Sequence, residues 1–570
     1  MEWKLREVDS AKADALSQHF GFPRSISEIL VGRNYDTPEK VKQFTTVSLE
    51  SLGSPFVLHG MTQACERILQ AMKSSQNIMI HGDFDADGIT SSALLTIFLR
   101  EIGVKVETFI PNRLVEGHGL SKRFMDLAVE KKINLVITCD CGSSNEKEIL
   151  ELKKYGIDTI VTDHHHIENP IPEAIVVNPK HDHTEEQPEE LSGVGVVFML
   201  LMALRKNLRD EGFFEGKTEP NLKKYLDIVA LGTIADMAPL IGQNRILVLK
   251  GLEELQKTTR PGLLAMKEKS GIVATQSMNS FDVGFKLAPR INAAARLGFA
   301  MEAFEILVAD HSLTASHLCL QMEEWNASRK KIQTTMVEQC QKELARQIDE
   351  NEILVFASKD FHPGLIGLAA QKICSDTGKP AFVFRVEGDI CKGSARCRAP
   401  IQLIEVMNSV KDLLIEYGGH SEAGGCKLLT KDLQEFVRRI QVTAKQQKGA
   451  SAVPNAWVDA FIDADDLTLD LIPHLFKLGP FGIGNPEPLL MTHAWVAGNP
   501  SEVGQNHMRV TLKSAKGRNL SAIAFGKWNA WKADFKGPVA VYFNLQENVW
   551  NGKSSLSLHL QGFAQLPQKS

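Results

Sequence analysis

Residues 81 to 90, HGDFDADGIT, set a histidine and three alternating aspartates into seven positions, followed by a glycine. So much like charge in so short a stretch is costly unless a cation or a set of N–H donors answers it. Asp83, Asp85, Asp87 and Gly88 fit the first half of a calcium-binding EF-hand loop. The second half excludes that chemistry: Leu94 stands where the closing glutamate belongs, and the preceding NIMI (77–80) has the character of a buried strand. Further acids and imidazoles recur at Asp140, at Asp163, His164 and His165, and at Asp236. Any one of these aspartates alone reads as the cap of a following helix. As a set, His81, Asp85, Asp87, Asp140, His164 and Asp236 offer ligands for two divalent ions, with one carboxylate free to bridge. Hard oxygen donors with few imidazoles and no thiolate favour Mn²⁺ or Mg²⁺ over Zn²⁺. Two such ions, roughly 3.5 to 4 Å apart, align a nucleophile with phosphorus and stabilise the leaving oxygen, which is phosphoester or phosphoanhydride hydrolysis.

These residues need strands to position them. From Asn77 short apolar runs alternate with amphipathic stretches: NIMI, SSALLTIFLREIG, VKVETFI, SKRFMDLAVEKK, NLVIT, NEKEILELKKYG, DTIVT and AIVVN. That alternation predicts a parallel α/β sheet. Asp83 to Asp87, Asp140 and Asp163 to His165 all fall where a strand stops, the end at which open parallel sheets bind ligands. From His311 to Gln347 there is no glycine or proline, and Leu318, Met322, Trp325, Ile332, Met336, Cys340, Leu344 and Ile348 recur at mostly helical steps, which predicts one long helix of roughly 55 Å. Strand and helix alternation resumes after it and closes near AKQQKGASAVP, a polar linker. Beyond Ala456, β-type runs such as MRVTLKS, LSAIAF and VAVYFNL carry Trp457, Trp495, Trp528, Trp531 and Trp550, as in a small β-barrel. The expected divisions are an extension at 1–74, an α/β domain at 75–310, the helix at 311–349, a second α/β domain at 350–450 and the barrel at 455–570.

Composition sets outer limits. Lys plus Arg (64) against Asp plus Glu (69) gives a formal charge of -5, so nucleic-acid binding would have to come from local basic patches. The nine scattered cysteines show no zinc spacing, and the longest apolar run, Val194 to Leu204, is too short for a membrane span. A reducing cytoplasm is the expected compartment.

DFDADG, DCG, TDHH and GTIADMAPL resemble, in order, the motifs of the DHH phosphoesterase superfamily. The resemblance implies that His81 and Asp85 bind one ion, that Asp87, His164 and Asp236 bind the other, and that Asp140 binds both, with Asp83 a possible ligand or neighbour. Asp87 and Asp140 would thereby be catalytic, and His165 would touch the scissile phosphate. PRINAAARLG, HPGLIGLAA, GSARCRAP and YGGHSEAGG resemble later motifs of the RecJ family of bacterial single-stranded-DNA-specific exonucleases. They imply a DHHA1 companion domain that grips substrate phosphates. Arg396 and His420 are the first candidates there, with Ser394 and Gly419 beside them, and His362 is a further one. Arg290, Asn292 and Arg296 are expected near DNA, and Lys392, Arg398 and Lys427 on a basic rim. The family also carries an OB-type domain at the C-terminal end, where Arg509, Lys513, Arg518, Lys527 and Trp528 are candidate strand contacts. His166 and Ala295 depart from the family pattern without removing a ligand, and His166 is expected at the surface. The implied activity is two-metal hydrolysis of single-stranded DNA from a 5′ end, in recombination and repair, alongside single-strand-binding protein and a helicase. The alternatives are a DHH phosphodiesterase acting on short oligonucleotides or small nucleotides, and a non-catalytic DNA-binding scaffold.

Overall fold

NIMI, NLVIT and DTIVT are largely apolar because both faces of their strands in the parallel sheet are covered. In the computed structural model, which describes residues 2–567 apart from 168, 170, 172, 182–189, 274–276, 400, 450–454 and 551, five parallel strands form this sheet. Its order is Val106–Phe109, Ile78–Gly82, Leu135–Cys139, Asp158–Thr162, Ala174–Val177. The chain runs from Ile78–Gly82 out to the edge, then returns on the other side to Leu135–Cys139. The order therefore reverses between those two strands, and a crevice opens beyond their carboxyl ends. Helices Ala86–Glu101 and Gly193–Asp210 pack together on one face. Lys122–Glu130 and Glu146–Lys154 cover the other, burying Phe124, Ile149 and Leu152 against Met79, Val136 and Val161.

Ser312–Gln347 is the expected long helix, 36 residues or about 54 Å. It does more than span. Its first half packs against helices Pro261–Lys269, Ala288–Arg296 and Ala300–Val308, and in its second half Met336, Val337 and Cys340 enter the core of the following domain. That domain is a mixed five-stranded sheet, ordered Leu414–Gly419, Ala423–Leu429, Ile390–Arg396, Ala381–Glu387, Leu354–Ser358. Helices Leu403–Asn408 and Leu433–Gly449 lie on one face, and Ile366–Thr377 covers part of the other.

The chain divides into two compact units: Leu52–Ala238 with Gln243–Ala452, and Met1–Ser51 with Pro239–Gly242 and Val453–Ser570. The stretch read as a single extension at 1–74 is thus shared between them. Helix Met61–Lys73 packs on Gly193–Asp210 and Ala174–Val177. Glu2–Leu5, by contrast, pairs in parallel with Asn455–Val458, and Leu16, Ile29, Val41 and Phe44 join the core of the barrel. Buried Asp459 fixes that junction, its Oδ2 2.8 Å from Arg33 Nη2 and its Oδ1 3.2 Å from Arg6 Nε. Strands Leu490–Val503, His507–Lys513, Asn519–Ala524, Lys553–Gln565 and Pro538–Trp550 pair in that order, and the last pairs back with the first to close an OB-type barrel. Of the linker expected at AKQQKGASAVP (444–454), residues 444–449 continue helix Leu433–Gly449, and 450–454 lie outside the described residues. No described helix is long and apolar enough to cross a membrane.

Candidate metal centre and phosphate site

The turn after Ile78–Gly82 aims three carboxylates at the crevice. Asp85 caps helix Ala86–Glu101, its Oδ1 accepting from Asp87 N at 2.9 Å and Gly88 N at 3.1 Å. Gly88 is required by this closure, since a Cβ there would lie 2.6 Å from Asp83 N and O. Asp87 reaches a second helix N-terminus: Gly193 N donates to Oδ2 at 2.6 Å and Val194 N to Oδ1 at 2.9 Å, where the helix dipole favours a negative charge. Asp140 follows strand Leu135–Cys139 with φ 61°, a left-handed conformation that aspartate tolerates better than most residues. Asp236 ends helix Leu226–Ala235.

Three overlapping groups result, each with ligand atoms within 4.8 Å of one another: Asp83, Asp85 and Asp140; Asp87, His164 and Asp236; Asp140, His164 and His165. His164 Nε2 is central, 3.2 Å from Asp140 Oδ1 and 3.9 Å from both Asp87 Oδ2 and Asp236 Oδ2. Burial, then repulsion from the neighbouring carboxylates, raises Asp87 and Asp140 well above the usual range, and Asp236 to about 6. Burial and the adjacent His165 lower His164 to about 4, leaving its imidazole neutral and free to ligate. Asp140 Oδ1 and His164 Nε2 are buried without a hydrogen-bond partner. Unanswered acceptors among repelling acids fit divalent cations, whose charge would reverse the repulsion.

His81 is not among these groups, but its Nε2, like His164 Nε2, is buried without a hydrogen-bond partner. Side chains alternate along a strand, so His81 shares the face of Met79, and its ring packs against Phe124 and Phe109 with Nδ1 3.5 Å from Cys141 Sγ. Burial holds it neutral, lowered to about 3. Asp83, the doubtful member in the sequence, stands beside Asp85 and Asp140 and accepts from His118 Nδ1 at 3.0 Å. That bond raises His118 to about 9. His165 turns Nδ1 to Asp163 Oδ1 at 2.8 Å, which raises its pKa and fixes its ring. Burial alone would raise Asp163, but His165 and the backbone N–H groups of Ser143 and His165 hold it well below the usual carboxylate range. His166 is exposed.

A cationic set adjoins the acids. Burial, then Arg113 and Arg396, lowers Arg296 to about 10, and burial followed by Arg113 lowers Arg396. Arg113 lies 4.7 Å over the Phe84 ring, and Asp83 and Asp85 partly offset its burial. It sits in a loop with no periodic pattern, and the sequence reading missed it. Ser394 accepts from Arg396 Nη1 at 3.2 Å. A Cβ on Gly367 would meet Ser394 Oγ at 3.0 Å and Arg396 Nη2 at 3.4 Å, so glycine lets this pair lie over the first turn of Ile366–Thr377. Arg296 Nη1 donates to Gly364 O at 3.4 Å, and Gly364 N to His362 Nδ1 at 3.2 Å, which ties the HPGL turn to the same cluster.

The remaining candidates separate. Asn292 accepts from Ala86 N at 3.2 Å and so supports the aspartate turn. Arg290, expected near DNA, is held by Glu323 on the long helix and by the carbonyls of Lys286 and Lys269. Asn292 and Arg296, four apart, share a helix face that Arg290 lacks. Gly419 has φ 141° and lies against Ala423 O, and exposed His420 follows it. Lys392 and Lys427 are directly opposed across two strands, and Arg398 is exposed. On the barrel Arg509, Lys513, Arg518 and Lys527 are exposed, but Trp528 packs onto the core. Among the outward rings is Trp495, 51% exposed and paired in register with Lys513.

Family models match in three segments: the DHH family N-terminal domain at 77–233, the DHHA1 domain at 350–446 and the RecJ OB domain at 458–562. The Dickeya dadantii protein named single-stranded-DNA-specific exonuclease RecJ is 34% identical over 90% of this chain and 92% of its own length. The Bacillus subtilis protein of that name is 30% identical over 99% of the chain and 71% of its own length. The crystal structure of RecJ in complex with Mn²⁺ from Thermus thermophilus superimposes with a TM-score of 0.84 at 29% identity, covering 100% of this chain and 80% of that one. With relatives of 30% and 34% identity covered over 71% and 92% of their own length, the chain belongs to the RecJ family.

Proposed function

We propose that the protein hydrolyses single-stranded DNA from a 5′ end to nucleotides, in DNA recombination and repair. The observation that carries this reading is the junction of buried, mutually repelling acids with half-buried, mutually repelling guanidinium groups at the reversal of the sheet order. Mn²⁺ or Mg²⁺, held by Asp83, Asp85 and Asp140 on one side and by Asp87, His164 and Asp236 on the other, with Asp140 shared, would neutralise the acids and polarise water and phosphoester. Asp83 joins this ligand set, and His81, whose buried Nε2 has no hydrogen-bond partner, remains a candidate for the first ion. Arg113, Arg296 and Arg396, with Ser394, grip the phosphates of the strand and set its register. His165, oriented by Asp163, donates toward the charge that develops on the scissile phosphate. The Gly419 and His420 turn and the lysine rim of the companion sheet lie along the path of the strand. Trp495 and Lys513 offer a ring for a base and a cation for the backbone.

Residues 75–310 act as the catalytic domain, 311–349 as its link, 350–450 as the phosphate-gripping domain and 455–570 as the strand-binding barrel. A helicase and single-strand-binding protein in the cytoplasm would supply and present the substrate. A phosphodiesterase of small nucleotides has no need of the barrel, and a scaffold has no need of so many repelling acids. The test is a long single strand labelled at its 3′ end, incubated with Mn²⁺ beside the same strand in a blunt duplex. A descending ladder from the single strand alone is expected. Immediate release of a labelled mononucleotide would reverse the polarity, and survival of both DNAs would overturn the activity.

A further inference from the structure

Residues 280–296 are helical without interruption, and the stretch Asp282–Leu287 is wound as a π-helix, a form that clusters at functional sites. Phe281 and Phe285 project from it into solvent, 59% and 70% exposed, and stack on each other with centroids 4.5 Å apart and planes 23° from parallel. Nothing in the packing of this helix needs them. Val283 and Leu287 provide its buried side, and Lys286 is occupied by Asp282 at 2.6 Å. The exposed face therefore offers π-surface rather than charge.

Its position is set by two contacts. A Cβ on Gly284 would lie 3.6 Å from Ile234, two residues before Asp236, so the π-turn rests on the helix that ends at a candidate ligand. Farther along, Asn292 holds Ala86 N beside Asp85, and Arg296 joins the guanidinium cluster. Phe281, Phe285, Asn292 and Arg296 follow at steps of four, seven and four, which places them along one helix face. Seven residues are about 10 Å of helix, close to three nucleotides of a stacked strand at about 3.4 Å each.

We propose that Phe281 and Phe285 form a stacking step for the bases of the strand, about three nucleotides from the scissile phosphate. The inference rests on the strand-hydrolysis reading of the same site. Aromatic faces accept any base, so the step would hold a single strand without reading its sequence, and paired bases would present no free face to it. The occupant is the strand itself, because the face is continuous with residues that contact the carboxylate turn and the guanidinium cluster.

The test uses the full chain in EDTA, so that binding is read without turnover. Short deoxyoligonucleotides carry 2-aminopurine singly at successive positions from the 5′ end, and quenching of its fluorescence reports stacking. Wild type should quench most strongly near the third position, Phe281→Ala/Phe285→Ala should lose that maximum, and Phe285→Trp should keep it. With Mn²⁺ the double variant should raise KM for long strands about ten-fold and leave dinucleotide hydrolysis unchanged. An identical quenching pattern in wild type and double variant overturns the proposal and leaves a protein partner as the occupant of the face. Absence of any Mn²⁺-dependent hydrolysis by wild type would instead strike the function reading, and the quenching pattern would still decide the stacking.

Discussion

At the carboxyl ends of the parallel strands, Asp87 and Asp140 are buried among other acids, and burial with that repulsion makes their charged forms costly. Beside them Arg296 and Arg396 are half-buried near Arg113 and each other, and burial makes their charged forms costly too. The acids are fixed by backbone: a helix cap for Asp85, two N–H groups for Asp87, a left-handed turn for Asp140. The arginines are fixed more loosely, through an aromatic ring, a hydroxyl and single carbonyl contacts. A rigid acidic half suits ions whose geometry must hold through every turnover, and a softer cationic half suits a polymer that must advance.

Asp140→Asn attacks the rigid half. The amide keeps the left-handed turn but gives up the shared charge, so kcat should fall by about a thousand-fold or more while strand binding in EDTA changes only a few-fold. Turnover near wild type would remove Asp140 from the centre of the site. Arg396→Met attacks the softer half, and KM for a 5′-phosphorylated strand should rise about 10- to 100-fold with a smaller change in kcat, as loss of a charged phosphate contact predicts.

The halves differ in how far the sequence exposed them. DFDADG, DCG and TDHH were legible because each follows a strand, and strand ends converge whatever their separation along the chain. For His81 spacing alone does not say which face a strand residue takes, and its ring shares the face of Met79. In PRINAAAR the helical period separates Arg290 from Asn292 and Arg296, yet only the position of the long helix shows which side is covered. Arg113 lies in a loop without period, and its neighbours, Phe84 and the distant Arg296 and Arg396, are brought to it only by the fold. The bond between the first 51 residues and the barrel was hidden for a similar reason: Arg33 and Asp459 meet across 426 positions.

Charge repulsion in the acidic half also has a pH signature. The folded Asp236 carboxyl keeps its proton to about pH 6, against 3.8 for an ordinary aspartate, so the metal-free native state holds more protons between those values. Its contribution to stability is present below 3.8 and is lost as pH rises through 6. In EDTA the melting temperature should therefore be a few degrees higher at about pH 5.5 than at about 7.5, and Mn²⁺ should erase the difference. A higher melting temperature at the more alkaline pH in EDTA would show that the acids do not strain the fold. Arg290→Ala should have the smallest effect on catalysis. Because this arginine is held by Glu323 and two carbonyls, the variant should melt a few degrees lower with KM within about two-fold of wild type. A large rise in KM would return Arg290 to the strand path.

The most direct measurement is the number of Mn²⁺ ions bound by the full chain, by equilibrium dialysis at neutral pH, in wild type and in Asp140→Asn. Two ions per chain are expected in wild type and weakened binding of both in the variant, since Asp140 groups with Asp83 and Asp85 and also stands 3.2 Å from His164 of the other ligand set. One ion in wild type, or two bound with unchanged affinity in Asp140→Asn, would contradict it.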